Sequence, residues 1–298
     1  MKKLLVIFFI CSFLVTGIAI AQEKRIYNDG EIDYVPMSAK IKLIAEDSES
    51  SVKYVEYSVN GQSIKRYSGP ISFTEEGRNF VAYRAIDNTG NISQEKIYSC
   101  IVDDAPPYLS ATVNGPAYMA GDVAYITDDT SIILWAEDEL SGVQAIYVGL
   151  GDSGYWRFTG DANIEKEGKH TGKAYAVDNV GNKTNVFRIE GYVDNTPPSV
   201  TIEPKYDFVN LQGSIYTSIK NEYSVSADDN ISGVKEIKVS VDRGEYFTYT
   251  EPIKLQETGY HSIRAKAVDY LNNESEATEL TFYIDVKTPR TDVEISID

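Results

Sequence analysis

Hydrophobic and polar residues alternate along most of the chain, which is the pattern that half-buried β-strands produce. Val55, Tyr57 and Val59 share one side of such a stretch, and the alternation returns at residues 143–150 and 234–241. Turn-forming residues separate these stretches roughly every 8–12 residues, and helical spacing is not sustained after residue 21. The pattern therefore predicts an all-β fold made of antiparallel β-sandwiches.

The alternation also places individual strands in the middle and last parts of the chain. We expect a first strand at 107–113 and 198–204, a second at 131–136 and 222–227, and a third at 143–150 and 234–241. A short strand holding Tyr125 or Tyr216 precedes the second, and a long late strand runs into a turn. About seven or eight strands per sandwich is the number typical of immunoglobulin-like (Ig-like) domains.

One seven-residue stretch occurs three times. It reads Ala85-Ile-Asp-Asn-Thr-Gly-Asn91, Ala176-Val-Asp-Asn-Val-Gly-Asn182 and Ala267-Val-Asp-Tyr-Leu-Asn-Asn273, and its central aspartates are 91 residues apart. Asp and Asn hydrogen-bond their own backbone, and glycine takes positive φ without steric cost. Each copy is therefore predicted to be a hairpin connection of about four or five residues, with Gly90 and Gly181 at positive φ.

The same spacing extends well beyond this turn. Asp47, Asp138 and Asp229 match, and Asp103-Asp-Ala-Pro-Pro107 matches Asp194-Asn-Thr-Pro-Pro198. A unit of about 90 residues can bury its own core, so each copy is a domain rather than one turn of a solenoid. We predict Ig-like domains at residues 22–105, 106–196 and 197–289 (repeats 1, 2 and 3), followed by a tail at 290–298. Because proline restricts the backbone, the linkers favour a rod.

The N-terminus has the composition of a secretory signal peptide. Lys2 and Lys3 precede an apolar run from Leu4 to Ile20, and small residues precede the expected cleavage site after Ala21. We expect export to the periplasm, the outer membrane or the cell surface, with no transmembrane helix after cleavage. The alternative is that residues 1–21 are retained as a membrane anchor.

Acidic residues outnumber basic residues, and cysteine is scarce. Without Lys2 and Lys3 the chain carries 26 basic and 45 acidic residues, a net charge of −19. This charge repels nucleic acid and anionic membranes, and it suits a cationic partner or a metal ion. With Cys100 as the one cysteine after cleavage, the chain has no disulfide framework and no cysteine–histidine metal site. Cys100 lies on an alternating strand and is expected to be buried.

Acidic residues gather in the loops that an Ig-like topology brings to one end of each domain, where the preceding linker also arrives. Carboxylate and carbonyl oxygens suit Ca²⁺, a hard cation that takes about six to eight oxygen ligands. The predicted calcium ligands are Asp103, Asp104, Asp138 and Asp178 at the first linker, and Asp194, Asn195, Asp229 and Asp269 at the second. The alternative is that these residues only cap turns by accepting backbone hydrogen bonds.

No catalytic residues are predicted, and we expect the protein not to be an enzyme. Paired acids can hydrolyse glycosides, but the same acids recur in every repeat, whereas an active site is normally built once. The sequence contains neither a phosphate-binding glycine loop nor a nucleophile elbow. Among its 22 tyrosines and two tryptophans, Tyr155, Trp156, Tyr246 and Tyr249 are candidates for contact with a glycan or a protein.

Residues 77–91 resemble the F–G hairpin of Ig-like domains. The cysteine position of that pattern holds Tyr83, Ala174 and Ala265, so the chain departs from antibody-type domains. A double proline, Asp-x-x-Ser-Gly-Val after the second strand, and Ala-Val-Asp-Asn-x-Gly-Asn together closely resemble a repeat of spirochaete outer-membrane proteins that is commonly labelled a β-barrel domain. The resemblance implies a disulfide-free Ig-like fold, of the kind that serves as stalk, adhesin arm or enzyme appendage.

We therefore expect a non-catalytic, exported cell-envelope protein with a structural or adhesive role and an unidentified envelope or host partner. One alternative is a glycan- or protein-binding accessory module of a surface system. Another is an outer-membrane β-barrel, although the predicted strands are short for a membrane barrel and acidic loops separate them.

Overall fold

The computed structural model describes residues 23–160 and 162–295. The signal peptide predicted for residues 1–21, with its Cys11, lies outside the described residues. The described chain consists of β-strands joined by turns and loops, which confirms the predicted all-β class. No helix in these ranges has the length and hydrophobicity needed to cross a bilayer.

The strands of repeat 1 are β1 (Tyr27–Asn28), β2 (Asp33–Val35), β3 (Val52–Val59), β4 (Lys65–Arg66), β5 (Gly77–Asp87) and β6 (Lys96–Val102). They form one sheet with the order β1-β2-β6-β5-β3-β4. The long strand β5 pairs antiparallel with both β3 and β6. Outside this sheet, an isolated bridge joins Ile41 to Ile71.

The strands of repeat 2 are β7 (Tyr108–Asn114), β8 (Ala117–Ala120), β9 (Val123–Ile126), β10 (Ser131–Glu137), β11 (Val143–Leu150), β12 (Trp156–Arg157), β13 (Gly168–Asp178) and β14 (Phe187–Val193). Strands β7 and β10 form a two-stranded sheet. Strand β11 pairs antiparallel with β12 and β13. Strand β9 pairs antiparallel with β8 and parallel with β14.

The strands of repeat 3 are β15 (Ser199–Pro204), β16 (Val209–Leu211), β17 (Ser214–Thr217), β18 (Glu222–Asp228), β19 (Val234–Val241), β20 (Phe247–Thr248), β21 (Ile253–Lys254), β22 (Gly259–Asp269) and β23 (Thr278–Ile284). One sheet has the order β15-β18-β21, and the other has the order β16-β17-β23-β22-β19-β20. The core contains Tyr223, Val239, Ile263 and Phe282. Two sheets around one apolar core are the Ig-like sandwich that the alternation predicts.

The predicted strand positions agree closely with the structure. Strands β11 and β19 have the predicted bounds, and β7, β10, β15 and β18 differ from theirs by one residue at one or both ends. Long strands with one buried face carry a clear period of two, which is why their ends can be placed from sequence.

The sandwiches are not wholly antiparallel. The short strands β2, β9 and β17 each pair parallel with the last strand of their repeat. In repeat 3, β15 lies in one sheet and β17 lies in the other. Because the chain crosses between the sheets before β17, that strand runs in the same direction as β23. Each short strand therefore ends beside the start of the following linker.

Cys100 is buried, as predicted, and packs in the core of repeat 1 with Val35, Val81 and Val102. Burial raises the pKa of its thiol to about 11, so the thiol stays protonated at neutral pH. The residue is a small apolar member of the core, in accord with its position on β6.

The described chain divides into two compact units. One contains the residues up to Val113 together with 132–162 and 171–189, and the other contains 114–131, 163–170 and the residues from Glu190 onward. The first linker, with the loops of repeat 2 around it, lies in the first unit. The second linker and the loops of repeat 3 lie in the second, so each candidate site belongs to a single unit.

Candidate metal centres at the two linkers

Three segments bring acidic residues together at each linker: the linker itself, a loop after the second strand, and the repeated turn. We call residues 138–142 and 229–233 the B–C loops, and residues 178–182 and 269–273 the F–G hairpins. Their counterparts in repeat 1 are residues 47–51 and 87–91.

The F–G hairpin holds its aspartate by local hydrogen bonds. Asp178 Oδ1 accepts the N–H groups of residues 180–182 at 2.6–3.0 Å, and its Oδ2 accepts the side-chain amide of Asn182 at 2.5 Å. Asp269 Oδ1 accepts the N–H groups of Leu271 and Asn273 at 2.8 Å, and its Oδ2 accepts the side-chain amide of Asn273 at 2.7 Å. The repeated turn therefore fixes the carboxylate as well as the direction of the chain.

The backbone of this turn has the predicted left-handed geometry. Gly90 and Gly181 have φ of 95° and 93°, and Asn272 takes the same role in the third copy at 69°. The connection is longer than the predicted four or five residues, because β5 ends at Asp87 and β6 begins only at Lys96. A single isolated bridge, such as the one between residues 86 and 92, continues the ladder past the turn.

The B–C loop holds a second aspartate. Asp138 Oδ1 accepts the N–H of Gly142 at 2.8 Å, and Asp229 Oδ1 accepts that of Gly233 at 2.6 Å. Both glycines have positive φ, which lets the loop close on its aspartate. In each loop the second carboxylate oxygen makes no hydrogen bond within the described part of the chain.

The linker supplies the third aspartate. Asp103 donates its N–H to the Val35 carbonyl at 2.9 Å in its own repeat, and its Oδ2 accepts the N–H of Ser141 at 3.0 Å from the next. Asp194 makes the second of these bonds with Ser232 at 2.9 Å. The linker aspartate is thus anchored from both sides.

The structure brings three of the predicted ligands together at each linker. One carboxylate oxygen each from Asp103, Asp138 and Asp178 lies within 4.8 Å of the other two. The matching set at the second linker is Asp194, Asp229 and Asp269. In both sets the linker and F–G aspartates are buried and the B–C aspartate is partly exposed, so each cluster has a closed side and an open side.

A buried hydroxyl without a hydrogen bond lies beside each cluster. The Oγ atoms of Ser141 and Ser232 make no hydrogen bond of acceptable geometry in the described structure, although both residues are more than nine-tenths buried. Buried polar groups are normally paired, and an exception calls for a structural reason. A cation held by the adjacent carboxylates would provide one, because a hydroxyl oxygen is a suitable neutral ligand for a hard cation.

Burial raises the pKa of two of the carboxyls at the first linker. For Asp103, the closeness of the Ser141 hydroxyl, which lies near the carboxylate without hydrogen-bond geometry, and the hydrogen bond from the Ser141 N–H oppose the rise in pKa, and the charge of Asp138 adds to it. For Asp178, hydrogen bonds from Asn182 oppose the rise in pKa and the charge of Asp103 adds to it. Ionising these two carboxyls therefore costs more than ionising an exposed aspartate, and a positive charge close by would offset that cost.

The same turn in repeat 1 shows the opposite shift. Burial of Asp87 works against ionisation, but hydrogen bonds from Asn91 and Thr89 outweigh it and hold the pKa of Asp87 well below its usual range. Asp87 shares with Asp178 the backbone and side-chain donors of its asparagine, accepts the Thr89 hydroxyl in addition, and is not part of a three-carboxylate cluster among the described residues. Turn capping together with the Thr89 hydroxyl thus lowers the pKa of Asp87, whereas deeper burial beside other carboxylates raises the pKa of Asp178.

The repulsion within a cluster is substantial. Two unit charges 4.8 Å apart repel by roughly 3 kcal/mol at an effective dielectric constant of about 20. Three ionised carboxylates form three such pairs, whereas the free energy of unfolding of a whole domain is only about 5–15 kcal/mol. A divalent cation among them would convert this repulsion into attraction.

Two predicted ligands lie outside the clusters. Asp104 is exposed, donates its N–H to Glu76 Oε1 at 3.0 Å, and has its carboxylate 3.9 Å from Lys24 Nζ. Asn195 Oδ1 accepts the N–H of Asp128 at 3.0 Å. Because successive side chains of an extended segment point to opposite sides, the residue after each linker aspartate is directed away from the cluster.

The two linkers differ in the positive charge nearby. Lys24 Nζ donates a hydrogen bond to Asn182 Oδ1 at the first linker. The residue at the equivalent position before the second linker is Gly115, which carries no charge. The first linker therefore has a lysine bound to its F–G hairpin, which the second linker lacks.

Sequence reasoning missed Ser141, Ser232 and Lys24. The serines stand in the Asp-x-x-Ser-Gly-Val pattern, so their fixed spacing was visible, but a neutral hydroxyl gives no charge signal. Lys24 could not have been found, because its contact joins residues 158 positions apart.

The aromatic candidates lie on separate parts of repeats 2 and 3. Trp156 is about half exposed, and Tyr155 packs edge-on against Tyr175. Tyr246 is covered by Lys266, whose Nζ lies 4.7 Å from the ring centre, and Tyr249 packs against the core of repeat 3. These contacts give most of the rings a structural role.

The sandwich topology and the repeated linkers define the class of this protein, which is an Ig-like repeat protein. Residues 154–240 match the family model described as bacterial Ig-like domain (group 3). The matched segment runs from the second half of repeat 2 to β19 of repeat 3. No curated protein matches the chain.

The chain is also similar to several solved structures, at low sequence identity and low TM-score. Fibronectin(III)-like modules of CbhA from Clostridium thermocellum are 15% identical over 57% of this chain and 94% of that chain, with a TM-score of 0.32. A structure of a 1.5-MDa bacterial ice-binding adhesin is 14% identical over 78% of this chain and 86% of that chain, with a TM-score of 0.34. Drosophila N-cadherin EC1-3 is 13% identical over 85% and 96%, with a TM-score of 0.21.

Proposed function

We propose that this chain is a non-catalytic, exported structural or adhesive protein of the bacterial envelope, built from three Ig-like domains whose two linkers bind Ca²⁺. Asp103, Asp138 and Asp178 would hold one ion, and Asp194, Asp229 and Asp269 would hold the other. The bound ions would fix each linker to the loops that follow it.

The observation that carries this proposal is that the same arrangement occurs twice. Each linker has three aspartates, a buried serine without a hydrogen bond, and an asparagine amide donor, all at the same spacing. An active site is normally built once, whereas a device that stabilises a junction is needed at every junction. Duplication therefore favours a structural role over a catalytic one.

The ligand chemistry favours calcium over softer metals. Every candidate ligand is an oxygen, and the one remaining cysteine is buried away from the clusters in the core of repeat 1. Carboxylates with a hydroxyl oxygen match the preference of Ca²⁺, while Zn²⁺ prefers nitrogen and sulfur ligands. The partly exposed side of each cluster leaves room for water to complete the coordination.

Thermal unfolding of the full mature chain tests the cation sites. We expect addition of millimolar Ca²⁺ after EDTA treatment to raise the unfolding midpoint by roughly 5–10 °C, because an ion bound only by the folded state stabilises it. Sodium chloride at matched ionic strength should not reproduce the shift. An unchanged midpoint would show that the aspartates serve only as turn caps.

Two sets of variants assign the effect to these residues. Asp138→Asn with Asp229→Asn keeps an oxygen for the turn but removes two ligand charges, so the response to Ca²⁺ should be lost. The matched control is Asp47→Asn in repeat 1, which alters the same turn where no third carboxylate is present. If the control loses the response as fully as the double variant, the ion does not bind at the linkers.

The serines provide a finer test. Ser141→Ala with Ser232→Ala should reduce the Ca²⁺-induced shift while leaving the midpoint in EDTA unchanged or slightly higher, because a buried hydroxyl without a partner is removed. Ser50→Ala, at the same position of repeat 1, should have no effect on the shift. A full Ca²⁺ response in the double variant would exclude the hydroxyls as ligands.

Protease treatment of intact cells tests the location. The signal-like N-terminus supports export, and an exposed domain should be degraded by external protease while a periplasmic marker survives. Survival of the chain alongside the marker would place it in the periplasm and argue against an adhesive role.

A further inference from the structure

Repeats 1 and 2 each contact the F–G hairpin of the next repeat with a segment near their own β1–β2 or β8–β9 hairpin. Arg25 donates its N–H to the Val180 carbonyl at 3.1 Å and its Nε to the Asn179 carbonyl at 2.8 Å. At the second linker, Tyr118 of β8 stacks on Tyr270, with ring centres 4.3 Å apart. The same two parts of the repeat therefore meet at both linkers.

In repeats 2 and 3 the B–C loop and the F–G hairpin form the end that contacts the preceding repeat, which we call the receiving end. This end is apolar. Val180 and Leu271, at the tips of the F–G hairpins, are almost fully buried, and the B–C loops add Leu140 and Ile231, which are half-buried. The equivalent residues in repeat 1 are Thr89 and Glu49, both polar and exposed. The receiving end of repeat 1 is therefore polar and solvent-exposed.

The opposite end of repeat 3 carries four exposed apolar residues. Val209 and Leu211 of β16 are each 56% exposed, and Ile219 and Val286 are 38% and 49% exposed. In repeat 2 the positions of Ile219 and Val286 hold Asp128 and Asn195, which hydrogen-bond to each other. Val209 stands where repeat 2 has Tyr118, the residue that stacks on the next hairpin.

A linker aspartate is also present at this end. Asp285 is 91 residues after Asp194 and donates its N–H to the Thr217 carbonyl at 3.0 Å, as Asp194 does to Ile126 at 2.9 Å. Unlike Asp103 and Asp194, which are buried under the next repeat, Asp285 is exposed. It has the anchoring of a linker ligand but no adjoining B–C loop or F–G hairpin in the described chain.

We propose that Asp285 and the apolar face formed by Val209, Leu211, Ile219 and Val286 are a docking surface for the loop end of another Ig-like repeat. The fitting partner has apolar residues where repeat 2 has Leu140 and Val180, and it carries the B–C and F–G aspartates. The apolar contact continues an arrangement that this chain already uses twice. Only the role of Asp285 as a third cation ligand rests on the function proposed above.

A second copy of this chain does not fit through its own repeat 1, because Glu49 and Thr89 would be buried without partners. This restriction gives a sharp test, since the two residues can be changed to those of repeat 2. With Thr89→Val, the repeat 1 turn differs from that of repeat 2 only at Ile86, where repeat 2 has Val177.

The test uses a four-substitution variant of the full chain, with Glu49→Leu and Thr89→Val to open the receiving end and Val209→Asp and Leu211→Asp to block its own docking surface. Mixed with the parent chain and examined by sedimentation velocity, it should form a one-to-one complex with twice the mass of one chain. The matched control carries only Val209→Asp and Leu211→Asp and should stay monomeric in the same mixture. If the four-substitution variant unfolds, the version without Glu49→Leu takes its place.

The outcomes separate this proposal from the cation sites. A complex in both Ca²⁺ and EDTA supports docking through the apolar face alone, and a complex only in Ca²⁺ also supports Asp285 as a ligand. No complex in either condition overturns the docking surface, while the melting experiments still decide the cation sites. A parent chain that dimerises by itself, and stops doing so with Val209→Asp and Leu211→Asp, overturns the proposal in favour of a second copy.

Discussion

His261 and Asn79 occupy the same position of the repeat but satisfy it in different ways. Asn79 accepts from Asn60 Nδ2 at 2.8 Å and donates to nearby carbonyls. His261 Nδ1 lies 2.9 Å from Asp242 Oδ2, and its Nε2 lies 3.0 Å from the Glu257 carbonyl. His261 thus faces a carboxylate and a carbonyl, both of which offer oxygen acceptors, whereas Asn79 faces an amide donor from Asn60.

An asparagine pair like Asn60 and Asn79 should be able to replace Asp242 and His261 together, but replacing only one of those two residues should be destabilising. We expect His261→Asn alone to lower the free energy of unfolding by about 1–3 kcal/mol, because an asparagine oriented like Asn79 turns its Oδ1, an acceptor, toward the Asp242 carboxylate. Asp242→Asn combined with His261→Asn should recover most of this loss by forming the pair found in repeat 1. Urea unfolding of the two single variants and the double variant measures the coupling. Additive losses would contradict the pairing.

The residues of the candidate site were predictable to different degrees. The three aspartates of each cluster could be grouped because the repeat register and the Ig-like loop arrangement place them at one end. The sequence could not show that Asp103 and Asp194 face the clusters while the next residues, Asp104 and Asn195, face away. Both residues of each pair have oxygen ligands, and their orientation depends on how the extended linker is placed. Ser141 and Ser232 were missed because a ligand without charge looks like any loop serine.

At the scale of elements, the F–G hairpin has nearly the same sequence in each repeat but lies in two different environments. In repeat 1 its aspartate is a turn cap, and in repeats 2 and 3 it also faces two other carboxylates. Between repeats 1 and 2, ionisation of this aspartate therefore has opposite effects on stability. The pKa of Asp87 is lowered by folding, while the pKa values of Asp103 and Asp178 are raised.

These shifts predict a pH dependence that differs between copies when calcium is removed. Ionised Asp87 stabilises the folded state above the ordinary Asp pKa of about 3.9, and this contribution is lost as the pH falls below that value. Protonated Asp103 and Asp178 favour folding at low pH, and that contribution is lost as the pH rises through their elevated pKa values. In EDTA at pH 7, Asp87→Asn should therefore destabilise the chain more than Asp178→Asn.

Chemical denaturation of both variants between pH 3 and pH 8 checks this contrast. The loss caused by Asp87→Asn should shrink toward pH 3, where the parent aspartate is also becoming neutral. In Ca²⁺ the order at pH 7 should reverse, since Asp178→Asn removes a ligand. Equal losses at every pH would mean that the cluster is not strained by its own charge.

Strand positions were more predictable than strand pairing. Strands β11 and β19 are long enough for alternation to fix both ends, whereas β2, β9 and β17 have only three or four residues and show no usable period. Their parallel pairing depends on where the chain crosses between sheets. That crossing is decided by tertiary packing, and the local sequence contains no sign of it.

At the scale of the whole molecule, the repeats are alike in fold but graded in the polarity of their ends. The loop end of repeat 1 is polar, the linker contacts are buried, and the far end of repeat 3 is apolar with an exposed Asp285. The first and last repeats therefore differ in the polarity of their uncovered ends, a difference that the 91-residue period alone does not show. Only comparison of equivalent positions in the folded structure separated contact residues from solvent-facing ones.

The rate at which the buried Cys100 thiol is labelled measures how often the structure around it opens. Its thiol is fully covered in β6, three residues before Asp103, and reacts with a disulfide reagent only when that sheet opens. In mature chain lacking residues 1–21, the labelling rate should fall about tenfold for each 1.4 kcal/mol by which Ca²⁺ stabilises the first linker. Asp103→Asn should abolish this slowing and Asp194→Asn should not. A single native thiol would thus report the opening of the first linker without any introduced probe, and equal effects of the two variants would reveal that both linkers open together.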